Sequence, residues 1–135
     1  MPKEDYLLKY LEKLSRIIRA MFGMRDNGFP MDSIRLADTT YKKLFDSQID
    51  ELALMPVEIF AQVISKQGYS SAYLEVLAQI AFETAKAYQQ LGNETFADSF
   101  YRKTLEIYSQ LNEKDKTFSF ERERLILEIK KMITK

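Results

Sequence analysis

Leu7, Leu11, Leu14, Ile18 and Met21 recur at steps of three and four residues. A helix gathers such positions on one stripe, so the spacing predicts an amphipathic helix from about Lys3 to Met24. Asp26-Asn27-Gly28 is turn chemistry and ends it. Beyond Pro30 the same period predicts a second helix from about Asp32 to Phe45, with Ile34, Ala37, Tyr41 and Leu44 inward and Asp32 or Ser33 as its cap. Residues 47–54 read as one or two further turns. Pro56 suits the first turn of a helix that carries Val57, Phe60, Val63 and Ile64 inward and stops at Gly68. Ser70 and Ser71 offer an N-cap to the longest regular segment, which runs to about Leu91 and is striped by Leu74, Leu77, Ala78, Ala81, Ala85 and Tyr88. After the tight Gly92-Asn93 turn, Asn93 caps a sixth helix to about Leu111, with Ala97, Phe100 or Tyr101, Leu105 and Tyr108 inward. A polar stretch, 112–116, precedes a last helix from about Phe118 to Ile133 that points Leu125, Ile129 and Met132 at the core. No segment alternates apolar and polar residues as a half-buried strand does. The expected fold is all-α, about six to seven helices in one domain over residues 1–135.

Two of these helices share a pattern. Ala37-Asp38-Thr39-Thr40-Tyr41-Lys42-Lys43 matches Ala97-Asp98-Ser99-Phe100-Tyr101-Arg102-Lys103 in residue type at six of seven places, which points to an internal repeat. In each, the alanine lets a neighbouring helix approach and the tyrosine four residues on fills the next gap. Residues 78–111 resemble one tetratricopeptide repeat: Ala81, Ala85 and Tyr88 on a first helix, Gly92 at the turn, then Ala97, Tyr101 and Leu105 on a second. Ala81 stands where that family carries a large aromatic, and Thr84 where it carries leucine. The resemblance implies a right-handed array of antiparallel helical hairpins, one at 71–111 and a degenerate one at 3–45. It also implies a concave groove lined by the first helix of each hairpin. Separately, Asp5-Tyr6-Leu7 through Leu14 and Arg16-Ile17-Ile18 resembles the opening of a family of small bacterial helical-repeat proteins to which no activity is attached.

Composition narrows the chemistry. Basic and acidic residues number 20 each, so no whole-molecule field gathers nucleic acid or an anionic membrane. Cysteine and histidine are both absent, which removes disulfides, thiolate chemistry, the commonest metal ligands and the side chain best suited to acid–base work near neutral pH. There is no phosphate-cradling glycine loop, dinucleotide fingerprint or calcium loop, and pairs such as Glu51 and Glu58 lie on different segments. We expect no enzyme activity and no cofactor or metal. The start of the chain has no apolar signal-type stretch and nothing downstream is apolar for long enough to span a bilayer, so no membrane partner and a cytoplasmic location are expected.

What remains are binding surfaces. The tetratricopeptide resemblance directs Gln79, Phe82, Lys86 and Gln89 into the groove, where a ring beside a lysine and amides suits a protein or peptide partner. The competing reading packs Phe82 beneath a neighbouring helix and leaves the polar groups solvated. Lys9, Lys13 and Arg16, with Arg19 and Arg25 as extensions, form a basic strip opposite the first helix's apolar face. It suits phosphates or an acidic partner, although the neutral net charge argues against nucleic acid. Glu121-Arg122-Glu123-Arg124 alternates in sign and reads as a solvated helix face, and the eight tyrosines and nine phenylalanines read chiefly as core. A structural homodimer that covers leftover apolar helix faces is the alternative to a groove-binding adaptor.

Overall fold

The three- and four-residue periodicity becomes helix along almost the whole chain. A computed structural model describes residues 3–133, with side chains from Tyr6 to Ile133. Seven helices follow in order among the described residues: α1 (Lys3–Asp26), α2 (Pro30–Phe45), α3 (Ile49–Leu54), α4 (Val57–Lys66), α5 (Ser71–Gln90), α6 (Glu94–Lys114) and α7 (Phe120–Ile133). No strand occurs among them. The fold is all-α.

Local chemistry accounts for most of the ends. Ser70 Oγ accepts the Tyr73 N–H at 3.2 Å and Asn93 Oδ1 accepts the Phe96 N–H at 3.1 Å, so α5 and α6 start where a side chain satisfies a free amide. Gly92 between them has φ 83°, a left-handed conformation that glycine enters freely. The start of α2 corrects the expected cap. Pro30 takes the first turn and Phe29 precedes it with no side-chain cap. Asp32 instead pairs with Arg35 at 3.0 Å, and Ser33 turns fully inward. The short α3 is capped from a distance, because Asp38 Oδ1 on α2 accepts the Ile49 N–H at 2.9 Å.

α5 and α6 pair most extensively. α5 also packs against α1 and α2, while α3, α4 and α7 all lie on α6. Ten residues of α5 and eight of α6 are buried. At about 1.5–3 kcal/mol for each large apolar side chain taken from water, this hairpin carries the greatest share of the hydrophobic stabilisation. Ala78, Ala81, Ala85 and Ala97 are buried in it, as are the larger Phe100, Ile107, Tyr108 and Leu111. Thr84 lies in this core. Its Oγ1 donates to Ile80 O, and it meets the Tyr41 hydroxyl of α2 at 2.9 Å.

The two matching heptapeptides share local features. Ala37 and Ala97 are buried, as are Tyr41 and Tyr101, and each copy closes an ion pair one turn on, Asp38–Lys42 at 3.3 Å and Asp98–Arg102 at 2.8 Å. Two further expectations fail. Of the α1 stripe only Leu14 and Met21 are buried; Leu11 and Ile18 are half-buried and Leu7 is exposed. Arg122, expected in solvent, is buried where α6 turns into α7. There its Nη1 donates to Asn112 Oδ1 at 2.7 Å and its Nη2 lies 3.7 Å from Asp115 Oδ2.

Candidate functional site: the α5 face between α1 and α7

Gln79, Phe82, Lys86 and Gln89 follow one another along one side of α5, as their three- and four-residue spacing requires. Gln79 is exposed and its side chain makes no hydrogen bond among the described residues. Phe82 is half-buried, with its ring tilted against Tyr101 of α6 at a centroid distance of 6.2 Å. The Lys86 ammonium stands 5.4 Å from the centre of that ring and 3.8 Å from Glu128 Oε1 on α7. Gln89 is exposed overall, yet its Oε1 accepts the hydroxyl of Tyr101. All four residues share a face, three of them engaged with α6 or α7 and Gln79 left open.

The other edge comes from α1. Arg25, expected to extend the basic strip, instead turns onto α5, where its Nε and Nη2 both lie 3.0 Å from Glu83 Oε1. Its carbonyl accepts the side-chain amide of Gln90 at 3.0 Å, and its guanidinium lies over Phe22 at 5.1 Å. Arg25, Glu83, Lys86 and Glu128 thus alternate in sign across the face, with Arg25–Glu83 linking α1 to α5 and Lys86–Glu128 linking α7 to α5. Tyr101 sits among them. Burial pushes its phenol up to about 12; Arg25 opposes the rise, while Glu128 and Glu83 add to it. The phenol therefore stays protonated near neutral pH and serves as a donor. Nothing in the sequence pairs Arg25 with Glu83 or Lys86 with Glu128, since these residues meet only after the helices have docked.

Below Gln89 the face opens into a hollow of about 300 Å³ bordered by Glu94, Tyr101, Met132 and Ile133. A larger one, about 640 Å³, runs along α6 beside α4 and α7 and mixes Arg102, Glu106, Glu123 and Lys130 around Leu105 and Ile126. No hydroxyl lining either hollow is hydrogen-bonded to a carboxylate among the described residues. Among the described residues no cluster of acidic side chains has the makings of a metal site. Lys9, Lys13 and Arg16 stay together on the exposed side of α1, away from this face. No described helix is long and apolar enough to cross a membrane.

Comparison with family models, curated proteins and solved structures finds no match.

Proposed function

We propose that the chain is a noncatalytic, tetratricopeptide-like scaffold of the cytoplasm that binds a protein or peptide along the α5 face. The observation that carries this reading is the row Gln79–Phe82–Lys86, with one amide unengaged and a ring and an ammonium both part-exposed, lying between α1 and α7. An extended segment or a helix laid there gains ring contact, an amide and a cation without disturbing the buried pairs. The equivalent Ala37–Tyr41 and Ala97–Tyr101 positions and the left-handed Gly92 turn support the hairpin-repeat reading.

The test is partner recovery from the native cell with two variants. Phe82→Asp removes the ring, and Gln79→Arg alters the exposed amide without touching the core. Both should lose the partner that the unaltered chain retains, with melting temperatures showing that the fold persists; retention by both rejects the site. A second reading, a structural homo-oligomer, is favoured by Phe120 and Leu127 on α7, which are 83% and 62% exposed. Light scattering on the dilute protein separates the two, because a strict monomer removes it.

A further inference from the structure

The basic strip on α1 gains a second rim and a floor once the chain folds. Tyr6, Tyr10, Lys13 and Ile17 form one row on α1 at steps of four, three and four residues. Lys13, Tyr10 and Ile17 border a small recess of about 60 Å³ on the α1–α2 seam, lined also by Leu14 and, from α2, by Leu36, Lys43 and two threonines, Thr39 and Thr40, whose hydroxyls donate to backbone carbonyls within α2. Lys13 on α1 and Lys43 on α2 therefore stand on opposite sides of a mainly apolar pit. Lys9 and Arg16 lie one turn either way from Lys13, and Tyr6, 73% exposed, continues the apolar row outward.

Among the described residues the basic side chains around this pit have no ion-pair partner. Lys9, Lys13, Arg16 and Lys43 are exposed, and none has an ion pair or hydrogen bond among the described residues. Two nearby carboxylates are committed elsewhere: Asp32 to Arg35, and Asp38 to Lys42 and the Ile49 amide. Glu12 stands beside the strip, one turn before Arg16 and three residues after Lys9, but makes no ion pair among the described residues. Asp46 lies past the end of α2, so Lys13 and Lys43 at the pit itself have no carboxylate paired with them there. A complementary ligand must bring anions to both edges and an apolar group to the centre. A phosphodiester chain meets the first condition and fails the second, since a phosphate gains nothing from a mainly apolar pit and loses hydration there. A helix with an apolar stripe between two acidic flanks meets both, and a seam between two helices is a natural groove for a third.

We propose that the α1–α2 seam is a docking site for an acidic amphipathic helix of a partner protein. One aliphatic side chain of that helix enters the recess over Leu14, and its carboxylates meet Lys13 and Lys43. The site is independent of the α5 face.

The probe is a stapled synthetic helix with leucines on one stripe and glutamates on both flanks, titrated into the isotopically labelled full chain. Amide shifts should centre on Lys13, Ile17, Leu36 and Lys43, and binding should weaken with added salt. The double variant Lys13→Glu, Lys43→Glu alters only exposed side chains and should bind about tenfold more weakly, because two attractions become repulsions. A chain carrying Phe82→Asp should bind the probe unchanged, which separates this site from the α5 reading. Three results overturn the proposal: no shifts; shifts at Gln79 and Lys86 instead; or equal binding by a probe with serine for leucine or by a single-stranded oligonucleotide.

Discussion

At the scale of single residues, the two copies of the internal repeat end in the same amino acid with opposite fates. Lys43 stands in solvent at the rim of the α1–α2 seam, whereas Lys103 is only 1% exposed. The difference comes from α3 and α4, which pack onto α6 and close over its lysine. There the ammonium donates to Met55 O at 2.7 Å and Ser99 Oγ at 2.8 Å, with the rings of Phe60 and Phe100 at 5.7 and 5.9 Å. Burial pulls its pKa down from 10.5 to about 8. The unfolded chain thus holds this proton more tightly than the folded one. The lysine's contribution to stability is full above about 10.5 and is lost as pH falls through about 8, so stability rises with pH between those values. The buried phenols of Tyr41 and Tyr108, held above their ordinary range by burial, act in the opposite sense once unfolded tyrosines begin to ionise near pH 10. Comparison with Lys103→Met cancels their effect. The urea midpoint of the unaltered chain should gain on that of the variant between about pH 7.5 and 9.5, and a constant difference would contradict the assignment. Sequence alone aligned the two lysines and had no means of separating them, because the covering helices are supplied by a segment outside the repeat. Arg122 escaped for the same reason: sign alternation is a local property, and the partners that bury it lie around a corner at Asn112 and Asp115.

At the scale of elements, what was legible was whatever the chain settles locally. The caps at Ser70 and Asn93 and the stop at Gly92 were readable because each depends on a side chain or a φ angle within three residues. Less legible was the start of α7. The apolar Phe118 drew the expected boundary outward, but Ser119 Oγ accepts the Arg122 N–H at 3.2 Å and the helix begins at Phe120. α2 misled in the other direction, since Ser33 has the right chemistry for a cap and is taken into the core instead. Gly92 offers a test of the hinge between α5 and α6. At φ 83° an added Cβ meets no heavy atom within 4 Å, so Gly92→Ala changes backbone preference and nothing else. The expected loss is about 1–2 kcal/mol, the cost of holding an L-residue left-handed. It should appear in chemical denaturation, while spectra and partner binding stay as they were. A loss several times larger would mean that the turn carries contacts beyond its own conformation.

At the scale of the whole molecule, periodicity revealed that the chain is helical and roughly where, but not which helices meet. The candidate site shows the gap most clearly. The four α5 residues were readable as a face, whereas Arg25 of α1 and Glu128 of α7, which flank that face, reach it only through tertiary docking. The same docking pattern sets an order of local stability. α5 is enclosed by α1, α2 and α6, and α6 by α3, α4, α5 and α7. The amides from Leu77 to Tyr88 and from Phe100 to Leu111 should therefore open only with the whole domain. α7 touches little beyond α6, and the first described side chains of α1, Tyr6, Leu7 and Leu8, are exposed on a helix whose buried anchors begin at Leu14. Native-state hydrogen exchange should be slowest across α5 and α6, intermediate in α7 and fastest at residues 6–10 of α1. Glu128→Ala removes the α7 partner of Lys86 and should speed exchange in α7 while leaving α5 and α6 unchanged. If α7 instead exchanged as slowly as α6 and did not respond to that substitution, its hold on the molecule would reside in Ile129 and the Arg122 corner alone. The Lys86–Glu128 pair would then be free to open to an incoming partner.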